Sequence, residues 1–363
     1  MKVRKLVSIV LVFMCVSASA FADKTDTMQE ALKSIMHQHK IPDLSVSVIR
    51  SGKIVYIADL HQRNDKILQT ETGITRFRIA SITKLFTAQA IMQLVEKDKL
   101  RLDDDVAVYI PEFKNDHITI QHLLTHHGGL QDKVWPEPFS EDSGFNAYLK
   151  NVLAVNPDTK PGIQFQYSDT GFNLLGQVIT KVSGLPYHIY IERNILKPVL
   201  MESSGYYSGS TGVQPDVEPF KNGQLIPHDQ QWPFDPQFFP SEGLISNVND
   251  LSLWVQAVLT RSSKLLSKKS YKQMTTPLEK TSWEETRIGL GWFITRRHQI
   301  DYVYHMGGIR GYESVLVMEP SANNAIILLT NSSDVPRWEI IDEIEQVLKG
   351  GKISGASARS RIF

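Results

Sequence analysis

The chain has 363 residues, with 39 basic and 39 acidic side chains, a formal charge of zero and a single cysteine. Hydrophobic residues make up 42% and charged residues 21%. This is the composition of a globular protein, and it excludes a disordered chain, a disulfide scaffold and a protein with many membrane spans. Because basic residues are not in excess, we expect no nucleic acid among the partners.

The first 22 residues have the pattern of a secretory signal peptide. Basic residues among the first five precede an apolar run over residues 6–16, and Ala20-Phe21-Ala22 fits the small-residue cleavage site of such signals. The apolar run is shorter than the roughly 20 residues of a membrane-spanning helix, which weighs against an uncleaved anchor. We therefore expect a periplasmic or secreted protein with no stable membrane span. Cleavage would also remove Cys15, leaving no thiol for catalysis or metal binding.

Hydrophobic periodicity predicts the regular elements in chain order. Helices are predicted at residues 27–38, 81–94, 119–124, 170–182, 248–259 and 337–348. Residues 44–49 and 54–57 predict a β-hairpin that turns at Ser51-Gly52. Four short apolar segments separated by turn residues predict an antiparallel meander: residues 289–295, 302–306, 312–318 and 325–330.

This order of elements predicts an α+β fold, in which an antiparallel β-sheet is flanked by N- and C-terminal helices and joined to a mostly helical second lobe. Residues 23–350 are expected to form the domain. Its sheet body is assigned to about residues 23–75 and 285–350, and the helical and loop lobe to about residues 80–284. The tail at residues 351–363 is rich in Gly, Ser, Lys and Arg, and we expect it to be flexible.

Residues 205–243, which we call the aromatic loop, are rich in both aromatic residues and proline. Loops of this length inside a compact protein are usually functional lids or binding loops. A packed covering without a role in substrate binding is equally consistent with the sequence.

Metal and cofactor motifs are absent from the sequence. His37/His39 and His126/His127 are not accompanied by a carboxylate at ligand spacing, and there is no His-Glu-x-x-His, Walker or paired-cysteine motif. A Gly-x-Ser-x-Gly nucleophile elbow is also missing. We therefore expect no metal and no cofactor.

The segment Ser81-Ile82-Thr83-Lys84 is the strongest chemical candidate. Ser81 opens a predicted apolar helix, and residues three apart share a helix face, so the Lys84 amine can approach the serine oxygen. Burial is expected to depress the pKa of Lys84 and so provide a neutral amine that accepts the serine proton. The alternative is a helix-capping serine followed by a lysine with a buried stem.

Two later motifs favour the chemical interpretation. Tyr167-Ser168-Asp169 lies just before a predicted helix, and His305-Met306-Gly307-Gly308 lies at the end of a predicted strand. In this order the three motifs resemble the Ser-x-x-Lys, Tyr-x-Asn and Lys-Thr-Gly or His-x-Gly motifs of the serine β-lactamase and penicillin-binding-protein superfamily. The resemblance is to its class C branch and the related esterases and peptidases. The segments at residues 77–84, 120–130 and 289–292 also look like family segments.

The resemblance implies a role for each matching residue. Ser81 would be the acylated nucleophile, and Lys84 and Tyr167 would share the proton transfers as a coupled unit, in which the sequence does not identify the base. The backbone N–H groups of Ser81 and Gly308 would form the oxyanion hole. Four residues would contact the substrate: Asp169, His305, Gly307 and Arg310.

Two departures from the family pattern bear on the substrate. Asp169 replaces an amide by a carboxylate, which only accepts hydrogen bonds and would repel an anionic substrate. His305 replaces a lysine and is mostly neutral near pH 7, although Arg310 could restore the lost charge. These changes favour an esterase or peptidase acting on an ester, amide or peptide that lacks the carboxylate.

Two alternatives remain. One is a β-lactamase or D-Ala-D-Ala carboxypeptidase acting on β-lactams or peptidoglycan peptides. The other is a non-catalytic relative that binds the cell wall or a protein partner through the aromatic loop.

Overall fold

The computed structural model describes residues 26–350, except 65, 114–116, 137–143, 156–158 and 210–211. The predicted signal peptide and the predicted flexible tail lie outside the described residues. The chain divides into two compact units: residues up to Ile41 together with those from Val335 onward, and Pro42–Asp334.

The first unit contains two amphipathic helices. Helix α1 spans residues 26–39, and helix α10 spans Arg337–Leu348. Each buries the side of the helix on which its apolar residues recur, including Leu32 and Ile35 in α1 and Ile340 and Ile344 in α10. The helices predicted at residues 27–38 and 337–348 are confirmed.

The second unit is built on a nine-stranded antiparallel sheet. In chain order its strands are β1 (Asp43–Arg50), β2 (Lys53–Arg63), β3 (Lys66–Thr70), β4 (Glu279–Lys280), β5 (Thr286–Ile288), β6 (Phe293–Arg297), β7 (Ile300–Ile309), β8 (Tyr312–Glu319) and β9 (Asn324–Thr330). Their order in the sheet is β3-β2-β1-β9-β8-β7-β6-β5-β4. Strand β1 pairs with β9 from Leu44 opposite Thr330 to Ile49 opposite Ala325, which joins the predicted hairpin to the predicted meander. The α+β fold class and both supersecondary predictions are confirmed.

One predicted strand is displaced. Residues 289–295 were expected to be extended, but β6 begins at Phe293, and the four residues before it form a bend. The bend is closed by a hydrogen bond from the Gly289 N–H to the Trp292 carbonyl, 2.8 Å long, and Gly291 has φ +79°, which favours glycine. Strands β3, β4 and β5 are not predicted by periodicity, because they are short and β3 and β4 are largely exposed.

Eight helices of this unit lie among the described residues. They are α2 (Thr83–Glu96), α3 (Ile120–Leu124), α4 (Phe145–Leu153), α5 (Asp169–Ser183), α6 (Tyr187–Ile191), α7 (Phe239–Glu242), α8 (Val248–Leu259) and α9 (Lys268–Met274). The helices predicted at residues 81–94, 119–124, 170–182 and 248–259 are confirmed, with shifts of one or two residues at their ends. No helix in the described part of the chain has the length and apolar character needed to cross a membrane.

Helix α2 is buried along almost its whole length. All residues from Thr83 to Leu94 are buried, so the helix has no solvent face. Trp254 of α8 stacks on Phe86 of α2 with ring centroids 4.4 Å apart, and its Nε1 donates to Gln89 Oε1 at 2.8 Å. A core that encloses the helix on every side fixes the position of the first turn, which carries Lys84.

Candidate active site

Ser81 lies in a constrained turn at the entrance to α2. The two-residue strand Phe77–Arg78 pairs with Leu244–Ser246 and leads into the 3₁₀ turn Ala80–Ile82. Ala80 has φ +46°, an unfavourable conformation for a residue with a side chain. The backbone of Ile79 is held on both sides, since its N–H donates to the Leu244 carbonyl at 3.1 Å and its carbonyl accepts from Ser314 Oγ at 2.8 Å.

The Lys84 ammonium is fully buried and donates to three oxygen atoms. Its Nζ lies 2.9 Å from Ser81 Oγ and 3.0 Å from the carbonyl oxygen of Ser241, and it forms an ion pair with the carboxylate of Asp169. A lysine ammonium has three N–H donors, so each has an acceptor here.

Tyr167 completes the group around Ser81. Lys84 Nζ lies 4.9 Å from the centre of its ring, and Lys84 and Ser81 are both near enough to its hydroxyl to lower the pKa of Tyr167. The structure therefore brings Ser81, Lys84, Tyr167 and Asp169 together, as the order of the motifs predicted.

The expected depression of the Lys84 pKa is wrong. Burial alone lowers the pKa of Lys84, but the charge of Asp169 and interactions with Tyr167 outweigh it, so the Lys84 pKa is raised above its usual range. Burial also raises the pKa of Tyr167, an effect that the Lys84 charge partly offsets. At neutral pH Lys84 is therefore a cation, paired with a carboxylate 85 positions further along the chain.

Asp132 holds the segment that carries Tyr167 and Asp169. Its carboxylate accepts from the backbone N–H groups of Asp169 and Thr170 at 2.8 and 2.9 Å, and from Ser168 Oγ at 3.1 Å. Ser168 in turn caps α5 by accepting from the Gly171 N–H at 3.0 Å. These bonds fix where α5 begins, and so the position of its first residue, Asp169.

The His126 ring packs against one face of the Tyr167 ring. The two rings stack with centroids 4.4 Å apart, and His126 Nδ1 accepts from the Ser168 N–H at 3.0 Å. Burial and the nearby Lys84 charge lower the pKa of His126 well below its usual value. The imidazole is therefore neutral, as its acceptor role at Nδ1 requires.

The end of β7 lies beside the Ser81 turn. A Cβ atom at Gly307 would come within 2.4 Å of the Ile79 carbonyl oxygen and 3.0 Å of the Ser81 nitrogen, so only glycine permits this approach. His305 is buried, and its Nδ1 donates to the Met306 carbonyl at 2.7 Å. Gly308 and Arg310 are exposed, and Arg310 donates to Gln230 Oε1 at 3.1 Å.

A cavity of about 510 Å³ opens beside these groups. Asp169, Gly308 and Arg310 contribute to its walls, whereas five other predicted site residues do not: Ser81, Lys84, Tyr167, His305 and Gly307. The aromatic loop supplies a further part of the wall through Lys221, Trp232, Phe238 and Glu242. The aromatic loop therefore borders the cavity.

Four contributors to the site have no motif of their own: Asp132, His126, the Ser241 carbonyl and Glu242. His126 falls within the family-like segment at residues 120–130, which could have indicated it. Asp132 lies in a loop, and Ser241 and Glu242 lie in the four-residue helix α7, which is too short to show a periodicity. No sequence pattern brings these three residues to Lys84. Among the described residues, no cluster of three or more potential ligands could hold a metal ion.

Comparison with known proteins identifies the family. The family model for beta-lactamases matches residues 28–347. The chain belongs to the beta-lactamase family. It is 26% identical to Protein flp of Staphylococcus aureus strain N315 over 86% of this chain, and to the putative penicillin-binding protein PbpX of Bacillus subtilis strain 168 over 88% of this chain. The alignments cover 65% of the Staphylococcus aureus protein and 81% of PbpX. The chain therefore spans slightly less than two thirds of the first relative's length.

A solved structure of a family relative shows the same architecture. The octameric penicillin-binding protein homologue from Pyrococcus abyssi is 29% identical and has a TM-score of 0.75. The match covers 90% of this chain and 77% of that one. The antiparallel sheet with a helical insertion is thus the fold of this family.

Replacing the counter-ion of Lys84 is expected to destabilise the fold. In Asp169→Asn the buried ammonium loses its charge partner, and we expect the free energy of unfolding at pH 7 to fall by about 1–3 kcal/mol. Because the Lys84 pKa is raised in the folded state, the ion pair's contribution is complete at pH 7 and declines only as the pH rises through that raised pKa. Urea unfolding followed by fluorescence measures the difference.

The matched control is Asp301→Asn, which removes one negative charge from an exposed ion pair with Arg296, 3.6 Å apart. It should change the free energy of unfolding by less than about 0.5 kcal/mol. An Asp169→Asn protein as stable as the Asp301→Asn protein would contradict the importance of the Lys84–Asp169 pair.

Proposed function

We propose that this protein is a serine hydrolase that cleaves ester or amide bonds through an acyl-enzyme at Ser81. The observation that supports the proposal most strongly is the 2.9 Å hydrogen bond between Lys84 Nζ and Ser81 Oγ, next to the Tyr167 ring, whose centre lies 4.9 Å from the same nitrogen. A serine hydroxyl within hydrogen-bond reach of an acid–base pair is the arrangement that activates a weak nucleophile.

In the proposed reaction, Ser81 Oγ forms a bond to the substrate carbonyl carbon, and its proton passes to the Tyr167–Lys84 pair. The same proton then passes to the alcohol or amine that leaves, and water later releases the acyl group. Because the charge of Asp169 keeps Lys84 protonated, the pair must first lose a proton before it can accept one from Ser81. Tyr167 and Lys84 act as one coupled unit in this step.

The oxyanion that develops during attack requires two hydrogen-bond donors. We assign these to the backbone N–H groups of Ser81 and Gly308, a pair consistent with the close approach of Gly307 to the Ser81 nitrogen. Removing one donor of such a site typically slows a reaction by about 100- to 1,000-fold.

The substrate is proposed to lack a carboxylate near the scissile bond. His305 is buried and bonded to a backbone carbonyl, and the exposed Arg310 is bonded to Gln230, so neither offers an uncommitted cation beside Ser81. Turnover of a chromogenic cephalosporin beyond trace rates would instead favour the β-lactamase or carboxypeptidase alternative.

Covalent labelling tests the proposal. A fluorophosphonate should add one adduct to the wild-type protein by intact mass, and Ser81→Ala should abolish it. Ser203→Ala, at an exposed serine, is the matched control and should label normally. Failure of well-folded wild-type protein to label would contradict the proposal and favour a non-catalytic binding protein.

The pH dependence of labelling tests the proton step. The pKa values of both Lys84 and Tyr167 are raised, so the form that has lost one proton is scarce at pH 7 and becomes more abundant as pH increases. We expect the labelling rate to rise from pH 7 to pH 9, by up to about tenfold per unit for a single proton. A rate that falls over this range would contradict the assignment.

We also propose that residues 1–22 direct export and are removed. The supporting observation is the sequence pattern that ends at Ala22. N-terminal sequencing of protein recovered from the periplasm or medium of an expressing bacterium should begin at Asp23. Full-length protein retained inside the cell would contradict export.

A further inference from the structure

The walls of the active-site cavity carry an excess of negative charge. Five carboxylates line the cavity against two basic side chains. The acidic residues are Asp132, Asp169, Glu242, Glu313 and Asp334, and the basic ones are Lys221 and Arg310. Two of these carboxylates have cationic partners, because Asp169 is paired with Lys84 and Asp334 lies 3.7 Å from Lys221.

Asp132 and Glu242 accept hydrogen bonds from uncharged donors. Asp132 accepts hydrogen bonds only from backbone N–H groups and the Ser168 hydroxyl, and Glu242 accepts from Trp232 Nε1 at 2.5 Å. Among the described residues, no basic side chain lies within ion-pairing distance of either carboxylate. Both carboxylates are therefore held in place by uncharged hydrogen-bond donors.

Their surroundings make these carboxylates costly to ionise. Burial and the nearby Asp169 charge raise the pKa of both Asp132 and Glu242, the latter to about 7, although the charges of Arg78 and Lys84 offset part of the effect at Glu242. A cation placed in the cavity would offset this cost, because it stabilises both ionised forms at once. An anion in the same place would add to the repulsion.

Aromatic rings line the same cavity. Trp135 is 65% exposed and packs edge-to-face against Trp232, with ring centroids 6.0 Å apart. Both rings contribute to the cavity wall, as does Phe238. Indole faces attract ammonium groups, and such contacts contribute about 0.5–2 kcal/mol depending on desolvation.

From this combination we propose that the substrate carries a protonated amine close to the scissile ester or amide bond. Asp132 and Glu242 bind the ammonium group, beside the indole rings of Trp135 and Trp232. The cavity volume of about 510 Å³ suits a ligand of the size of a small aminoacyl ester or amide. This inference rests on the proposed function, since the cavity receives a substrate only if Ser81 is the nucleophile.

Two isosteric esters test the inference. Alanine benzyl ester, in its D and L forms, carries an ammonium group where benzyl isobutyrate carries a methyl group. At pH 7 we expect one alanine ester to have a kcat/KM about 10- to 100-fold above that of benzyl isobutyrate, as charge-assisted hydrogen bonds contribute that much. Glu242→Gln should reduce this ratio at least fivefold, and Asp132→Asn should also reduce it.

The control variant is again Asp301→Asn, which makes the same change in net charge at the opposite end of β7 from Gly308. It should leave the ratio within twofold of the wild-type value. The inference would be overturned by a kcat/KM ratio near one in the wild type, or by a ratio that Glu242→Gln leaves unchanged. In either case, fluorophosphonate labelling of Ser81 would still support the proposed function.

A protection experiment covers the case in which neither ester is hydrolysed. Alaninamide should slow fluorophosphonate labelling of Ser81 at lower concentrations than isobutyramide, its uncharged isostere. Equal protection by the two amides would overturn the inference. Absence of any labelling would overturn the inference and the proposed function together.

Discussion

The buried ammonium of Lys84 is the group on which the arrangement of this site depends. A charge without exposure to solvent must be compensated by partners, and Lys84 has a carboxylate, a serine hydroxyl and a backbone carbonyl as acceptors. Removing any acceptor would leave a donor of a buried cation unsatisfied. The positions of Ser81, Asp169 and Ser241 are thus tied to one nitrogen atom.

Each of these acceptors is fixed by a different part of the fold. Ser81 is held by the turn at the entrance to α2, and Asp169 by the start of α5, which Asp132 bonds through two backbone N–H groups. The Ser241 carbonyl comes from α7, at the end of the aromatic loop. The loop therefore has two connections to the site, because the neighbouring Glu242 also lines the cavity.

The carboxylate of Asp169 determines the protonation state of Lys84. A neutral amide in place of Asp169 would leave burial to lower the Lys84 pKa, and the amine could then accept a proton directly. With a carboxylate there, the amine stays charged, so in the proposed reaction the Tyr167–Lys84 pair must lose a proton before it can accept one from Ser81. Asp169 also offsets the positive charge of Lys84, and the remaining side chains of the cavity wall include more carboxylates than cations.

Hydrophobic periodicity and the sequence motifs predicted many of the helices and strands and part of the site, and the incorrect predictions have physical causes. Helices α5, α8 and α10 and the central strands were predicted because their apolar residues recur at the period of the element. The grouping of Ser81, Lys84 and Tyr167 followed from the order of three motifs. The sign of the Lys84 pKa shift was wrong, because burial was considered without a partner that the fold brings from 85 positions away.

Glu242 and Asp132 could not be predicted for a related reason. Their roles depend on which loops converge beside Lys84, and hydrophobic periodicity carries no information about that convergence. The bend before β6 was missed because apolar residues such as Leu290 and Trp292 are buried there without being extended.

The most direct test of this account is a titration of the Lys84 ammonium by NMR in protein with isotopically labelled lysine, assigned with Lys84→Arg. We predict that Lys84 remains protonated beyond pH 10.5 in the wild type, and that its pKa falls in Asp169→Asn. A wild-type Lys84 that titrates below pH 9 would show that burial outweighs the Asp169 charge and would contradict the central claim.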